Sequence, residues 1–220
     1  QEPTVEDKLN GLTALYNEGR LTEVVQHAKF LVGQHPQEVM LYNILGAANA
    51  GLRQFDDAIE SYHRALRINP DFAGTHNNLG SAYQDNGNLP DAVASFRRAV
   101  QLDPDYAEAH YNLGNALQES GDLPATIKSY HAAVQAKPDF AGAHYNHGAA
   151  LQEIGEFHEA ITSYNNAILI EPDFAEAHNN LGNSLRETGE LTAAIESLKR
   201  ALQINKNFAE AHNNLGITLR

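Results

Sequence analysis

The sequence predicts an all-α protein built from stacked antiparallel helix pairs, and three observations support this prediction. Marker residues recur every 34 residues along the 220-residue chain. Within each 34-residue segment, small and apolar residues follow the 3.6-residue period of a helix in two separate stretches. Glycines and prolines stand between these stretches, where they would end one helix and begin the next. Repeats of this length with two helices per copy are typical of solenoid proteins.

Four kinds of residue keep the 34-residue spacing. Glycines stand at 46, 80, 114, 148, 182 and 216, and prolines at 36, 70, 104, 138 and 172. Alanines stand at 65, 99, 133, 167 and 201, and aromatic residues at 72, 106, 140, 174 and 208. These markers predict five full repeats at 39–72, 73–106, 107–140, 141–174 and 175–208. Residues 1–38 are interpreted as a degenerate N-terminal repeat or cap, and residues 209–220 as the first helix of a truncated repeat.

The repeat at 107–140 illustrates how each copy forms two helices. One apolar stripe in its first half contains Ala109, Leu113, Ala116 and Leu117. Asp122 is a plausible N-cap for the second helix, and Pro124 suits the first turn, where a backbone N–H is not needed. Pro138 then ends that helix. Small residues such as Gly114 and Ala133 are expected where the two helices cross, because they let the backbones approach closely.

This pattern resembles the tetratricopeptide repeat (TPR) family, with its Leu-Gly, Ala, aromatic, Ala and Pro marks over 34 residues. The octet AEAHNNLG, at 175–182 and again at 209–216, carries the Leu-Gly mark. The resemblance implies an α-solenoid, a right-handed TPR superhelix of stacked antiparallel helix pairs. It also implies that the first helix of each pair lines a concave surface, and that the function is protein binding rather than catalysis.

Composition narrows the range of partners. The chain has 15 basic and 28 acidic residues and a formal net charge of −13, so a nucleic-acid partner is not expected. No apolar run approaches the roughly 20 residues of a membrane span, and there is no cysteine. The chain begins with Gln1 and stops within a repeat, which suggests that the natural polypeptide continues.

The candidate peptide-binding residues lie at positions 6, 9 and 13 of the repeats, on the first-helix face opposite the apolar stripe. They are Asn78, Asn112, Asn146, Asn180 and Asn214 at position 6, Asn115 and Asn183 at position 9, and Asp85, Glu119, Glu153 and Glu187 at position 13. A side-chain amide offers donors and an acceptor, which suits an extended peptide backbone. A comparable asparagine ladder lines the TPR superhelix of O-GlcNAc transferases, to which this segment is similar. Alternatively, asparagine is a consensus residue that keeps the groove hydrated.

Position 5 also carries asparagines, Asn77, Asn179 and Asn213. These companions of the ladder are interpreted as solvated residues or contacts between repeats.

Charge is segregated between the two helices of each repeat. From residue 73 onward the first helices carry only Arg186 and Arg220 as basic groups. The second helices carry Arg64, Arg67, Arg97, Arg98, Lys128, Lys199 and Arg200. An acidic groove would attract a basic or polar protein segment; the alternative is a charged face that maintains solubility.

The repeat at 39–72 departs from this polar pattern. Its corresponding residues are Met40, Ile44, Ala47 and Gly51. They are interpreted either as a small apolar patch at one end of the groove or as a surface covered by the N-terminal repeat.

No catalytic site, cofactor or metal site is expected. Five of the eleven histidines share one repeat position, so neighbours are about a helix pair apart, whereas zinc ligands lie about 2 Å from the ion. The acidic residues at position 13 are likewise one repeat apart, too far for paired carboxylate chemistry. His147 replaces a core leucine and is interpreted as a buried, hydrogen-bonded histidine.

Two other functions remain open. The segment could be the substrate-recruiting arm of a larger enzyme, such as an O-GlcNAc-transferase-like glycosyltransferase. It could also be a scaffold that self-associates end to end through its unfinished C-terminal repeat, whose apolar surface lacks a second helix.

Overall fold

A computed structural model of the protein describes residues 3–220, and within that range it contains thirteen α-helices and no β-strand. The helices are α1 (Val5–Asn17), α2 (Leu21–Gln34), α3 (Val39–Gly51), α4 (Phe55–Ile68), α5 (Ala73–Asp85), α6 (Leu89–Leu102), α7 (Ala107–Glu119), α8 (Leu123–Ala136), α9 (Ala141–Glu153), α10 (Phe157–Ile170), α11 (Ala175–Glu187), α12 (Leu191–Ile204) and α13 (Ala209–Thr218). None of these helices is long and apolar enough to cross a lipid bilayer.

The helices form two compact units, Gln1–Ser120 and Gly121–Arg220. In the first unit, α1 pairs with α2, α3 with α4 and α5 with α6, and the second helix of each pair packs on the first helix of the next. The first helices of successive pairs are also in contact: α1 contacts α3, α3 contacts α5, and α5 contacts α7. An N-terminal core cluster joins the first two pairs and consists of Leu12, Val24, Val25, Ala28, Leu31, Leu41, Leu45 and Ala48.

The second unit repeats this arrangement. Helix α8 packs on α9, α9 pairs with α10, and α11 pairs with α12. Helix α13 packs on both α12 and α11, and α11 also touches α9. Each unit is therefore a stack of antiparallel helix pairs, which confirms the predicted all-α solenoid class.

The marker glycines permit close packing of the two helices in a pair. A Cβ built on Gly46 would lie 2.6 Å from the Tyr62 ring, and one built on Gly80 would lie 2.7 Å from the ring of Phe96. The marker alanines of the second helices, Ala65, Ala99, Ala133, Ala167 and Ala201, are fully buried. The side chain that faces each of these glycines nevertheless belongs to a larger residue three positions before the alanine.

The turns follow the sequence signals. The Asp122 carboxylate accepts a hydrogen bond from the Ala125 amide at 3.2 Å, so Asp122 is the N-cap of α8 as predicted. Helix α8 ends at Ala136, two residues before Pro138. Gly121, which precedes the cap, has a φ of 79°, a left-handed conformation that glycine adopts without steric cost.

Candidate functional site

The histidines at position 4 of the repeats anchor each first helix to the turn before it. In each, the Nε2–H donates to a backbone carbonyl six residues earlier, because a carbonyl can only accept. The pairs are His76–Pro70 (2.8 Å), His110–Pro104 (2.9 Å), His144–Pro138 (3.0 Å), His178–Pro172 (3.1 Å) and His212–Lys206 (2.9 Å). These bonds give five histidines a structural role. Within residues 3–220, no three His, Asp or Glu side chains come together in a way that could hold a metal ion.

In the first unit, two predicted ladder residues lie on neighbouring first helices, α5 and α7. The Asn112 side chain is half-buried, and its Nδ2–H donates to Asn77 Oδ1 at 3.0 Å. Asn77 itself is buried. Because Asn77 lies on α5 and Asn112 on α7, this bond joins two repeats. Asn78 is half-buried, and its amide has no hydrogen-bond partner within residues 3–220.

The second unit fixes its ladder residues by a similar network. The Asn180 Nδ2–H donates to Tyr145 Oη at 3.2 Å, and the Asn214 Nδ2–H donates to Asn179 Oδ1 at 2.9 Å. The Asn179 Nδ2 group donates to Asn180 Oδ1 at 3.1 Å and to Glu210 Oε1 at 3.0 Å. Asn179 therefore uses both of its N–H groups and its oxygen, bonding to Asn180 on its own helix α11 and to Glu210 and Asn214 on α13. The bond from Asn180 to Tyr145 extends this network to α9.

These contacts determine which hydrogen-bonding groups of the ladder amides remain available to a ligand. An amide has two N–H groups and an oxygen, and Asn112 and Asn180 each donate one hydrogen bond to a neighbouring helix. Their remaining N–H groups are oriented by that bond. Asn214 is buried, whereas the other position 6 residue of this unit, Asn146, is half-buried.

The remaining asparagines occupy varied environments. Asn115 and Asn183 at position 9 are half-buried, and the Asn183 Oδ1 atom is buried without a partner within residues 3–220. The companion residue Asn213 is exposed. Asn77 and Asn179 therefore serve as inter-repeat contacts, one of the two roles predicted for them.

All four acidic residues at position 13 are exposed: Asp85, Glu119, Glu153 and Glu187. The Glu119 carboxylate accepts a hydrogen bond from the side-chain amide of Gln84 on the neighbouring first helix. The Glu187 carboxylate pairs with Arg186 at 2.7 Å, which reduces the negative charge at that point.

The basic residues of the second helices are exposed as well, and two of them pair with acidic residues of the turn before the first helix of the same helix pair. Arg98 contacts Asp71 at 2.7 Å, and Arg200 contacts Asp173 at 2.8 Å. Because these ion pairs are exposed to solvent, each contributes about 1 kcal/mol or less to stability.

The apolar residues of the repeat at 39–72 line an open cavity of about 510 Å³. Helix α1 contributes Tyr16 to its wall, α3 contributes Met40 and Ile44, and α5 contributes Asn78 and Asp85. Ile44 also packs against the N-terminal core cluster, while Met40 is 41% exposed. Each of the two interpretations is therefore correct in part, because the N-terminal repeat covers some of this surface and leaves the rest open.

His147 lies half-buried between α8 and α10. Its Nδ1 is 3.1 Å from Ser163 Oγ, and that hydroxyl lies 3.1 Å from the Glu159 carbonyl, to which it donates its hydrogen. The Nδ1 atom must therefore carry the hydrogen and donate to Ser163. Burial lowers the pKa of His147 to about 4, with smaller contributions from His131, whose ring centroid is 5.5 Å away, and from His144.

The low pKa of His147 predicts a loss of stability in acid. The unfolded chain binds a proton near pH 6.5 and the folded chain near pH 4, so stability is complete above about 6.5 and falls as pH drops toward 4. After allowance for solvent at this half-buried site, the expected loss is about 1–2 kcal/mol. Urea unfolding of the native protein and of His147→Leu at pH 7.5 and pH 5 measures it. Native protein should lose more stability than the variant, and equal losses would contradict this assignment.

The repeated helix pairs, with small residues at the crossings and polar residues on the first-helix face, define a helical-repeat protein. The sequence profile described as "TPR repeat" matches residues 53–87, 85–121, 151–185 and 182–219, and the profile "Tetratricopeptide repeat" matches residues 107–140. The chain therefore belongs to the tetratricopeptide repeat family. This membership makes it a protein–protein interaction module, with a fold typical of non-catalytic scaffolds. A comparison with curated protein sequences found no match.

Solved structures show the same fold. The crystal structure of MamA protein is 30% identical, with a TM-score of 0.70 over 78% of this chain and 94% of MamA. PilF of Pseudomonas aeruginosa is 13% identical, with a TM-score of 0.83 over 96% of both chains. YrrB, described as a TPR protein with an unusual peptide-binding site, is 18% identical, with a TM-score of 0.74 over 84% of this chain and 96% of YrrB. The last two similarities, at this identity, support the fold alone.

Proposed function

We propose that the first helices bind an extended, polar or basic polypeptide segment. The observation that carries this proposal is the set of position 6 asparagines on the first helices of each unit. Three of them, Asn112, Asn180 and the buried Asn214, are held by hydrogen bonds that they donate to the neighbouring repeat. An amide held in place loses less conformational entropy when it binds than a mobile one does. Its spare donor can then meet a carbonyl of a peptide backbone.

The spacing of the repeats favours a peptide in an extended conformation. Packed helices are typically about 8–10 Å apart. A polyproline II segment advances about 3.1 Å per residue and presents the same face every third residue, or about every 9 Å. Within each unit, one asparagine per first helix would then meet equivalent backbone groups at three-residue intervals along the peptide.

The charge distribution favours a basic segment. Four acidic side chains at position 13 are exposed, and the chain as a whole carries a net charge of −13. Such a surface raises the local concentration of a cationic peptide and speeds its association. The effect weakens with salt, because exposed charges are screened over about 8–10 Å at physiological ionic strength.

A peptide-array screen at low and moderate salt tests this function. It compares the native protein with a variant carrying Asn→Ala at 112, 146 and 180. A matched control carries Asn165→Ala and Asn166→Ala, two exposed residues of the second helix α10. Circular dichroism melting confirms that each variant is folded.

Native protein and the control should bind basic extended peptides, less tightly at moderate salt, and the ladder variant should lose at least tenfold in affinity. Equal binding by all three proteins would show that the ladder is a consensus feature, and no binding by any would refute peptide recognition.

A second candidate function is self-association through α13. No atom lies within 4 Å of a Cβ built on Gly216, and Ile217 and Leu219 are 47% and 62% exposed. A helix of a second copy could cover this face. Light scattering between about 5 and 500 µM would then show a mass that rises with concentration and stays monomeric in Ile217→Asn. A constant monomeric mass would refute self-association.

A further inference from the structure

We propose that the cavity among α1, α3 and α5 is an anchor pocket, which takes one apolar side chain of the bound polypeptide next to a lysine or arginine. This inference rests on the proposed function and specifies which feature of the peptide is recognised. The cavity volume of about 510 Å³ falls within the range of small-ligand pockets.

Part of the apolar wall of the pocket, at Met40, lies outside the core packing of α3. That helix buries Leu41, Leu45 and Ala48 in the N-terminal core cluster. Met40 remains 41% exposed at a repeat position that is glutamate in the repeat beginning at 175. Ile44 likewise stands where the later repeats have asparagine. An apolar side chain bound here would remove the exposed surface of both residues from water.

Two polar groups at the pocket are available to a peptide backbone. Tyr62 lines the cavity and is 2% exposed, yet its hydroxyl has no hydrogen-bond partner within residues 3–220. The equivalent Tyr164 in the other unit donates to Gln152 Oε1 at 3.0 Å. The Asn78 amide also lines the cavity and is likewise without a partner in the described range. A backbone N–H or carbonyl of the bound peptide would give both groups a hydrogen-bond partner.

The negative charge of the pocket lining favours a lysine or arginine beside the apolar side chain of the bound peptide. Among the described residues of the lining, Asp85 alone is charged, and its carboxylate is exposed. A lysine or arginine next to the apolar anchor would pair with it. Because the pair would be exposed to solvent, it should contribute a few-fold in affinity and respond to salt.

The test is selection of random 12-residue peptides displayed on phage against the native protein, followed by affinity measurements on synthetic versions of the selected peptides. The selected sequences should carry Leu, Ile or Met beside Lys or Arg. Their affinity should fall about tenfold or more for Met40→Glu and for Ile44→Asn, which place in the pocket the residues that the repeat beginning at 175 has at these positions. Asp85→Asn should reduce affinity a few-fold and lower its salt dependence.

Leu169→Glu is the matched control, because it places the same charge on an exposed apolar residue of α10 in the other unit. It should bind like the native protein. Selected peptides without an apolar anchor, or peptides that bind Met40→Glu and Ile44→Asn unchanged, would overturn the pocket while leaving peptide binding intact. If no peptide is enriched on the native protein, the pocket and the proposed function both fail. If Ile44→Asn is unfolded by circular dichroism, Met40→Glu decides, since its side chain is outside the core cluster.

Discussion

Gly182→Ala should lower the free energy of unfolding by about 1–2 kcal/mol, although alanine is the better helix former by about 1 kcal/mol. The added Cβ would lie 2.6 Å from Leu198 Cγ and 3.1 Å from the Ala194 carbonyl oxygen. Leu198 is fully buried, and the carbonyl belongs to the backbone of α12, so neither can move aside easily. Separation of α11 from α12 is therefore the expected consequence, visible as faster amide hydrogen exchange in both helices.

Gly216→Ala is the matched control for this variant, because both glycines end the same octet, AEAHNNLG. A Cβ on Gly216 would meet no atom within 4 Å, so only the helix propensity changes, and stability should rise by up to about 1 kcal/mol. Urea unfolding of the two variants beside the native protein should thus give shifts of opposite sign. Shifts of the same sign would show that helix propensity, and not the contact with Leu198, decides the effect.

Asn179→Ala should be destabilising by about 2–3 kcal/mol. The Asn179 side chain is 1% exposed and makes three hydrogen bonds, to Asn180, Glu210 and Asn214. Truncation leaves the buried Asn214 amide without its acceptor, and an unpaired buried donor costs more than the bond itself contributed. The loss should be concentrated at the contact between α11 and α13. The urea midpoint and hydrogen exchange in α13 measure it.

Asn213→Ala changes the same residue of the other copy of the octet, and Asn213 is exposed. Its stability should stay within about 0.5 kcal/mol of the native value, as is usual for surface substitutions. Equally small effects of both substitutions on the free energy of unfolding would mean that the three hydrogen bonds of Asn179 are no more stabilising than its hydrogen bonds to water in the unfolded chain.

Much of the fold could be predicted because the same helix-boundary and packing residues recur in several repeats. The N-cap at Asp122 and the end of α8 before Pro138 follow from the chemistry of single residues. A close contact between helices at the marker glycines could be expected, but the residue that faces Gly46, Gly80, Gly148 and Gly182 could not. The periodicity indicated alanine, whereas the facing atoms belong to Tyr62, Phe96, Tyr164 and Leu198, because the crossing geometry depends on how the helices are placed.

The candidate site could be predicted less completely. The sequence located the asparagines, but not that Asn112, Asn180 and Asn214 each bond to a neighbouring helix, since such bonds depend on tertiary distances. The histidine anchors could have been found, because a histidine follows four of the five marker prolines by six residues, as at Pro104 and His110, and Tyr42 takes that place after Pro36. The cavity beside Met40 depends on how α1 packs, which no repeat signal specifies.

Peptide binding by the first helices is tested most directly by NMR titration of the labelled protein with a selected basic peptide. The side-chain amide signals of Asn78 and Asn112 in one unit, and of Asn146 and Asn180 in the other, should shift as peptide is added. The same peptide should leave the Asn165 and Asn166 amides of α10 unchanged. Shifts confined to the second helices, with the ladder amides unmoved, would contradict a binding surface on the first helices.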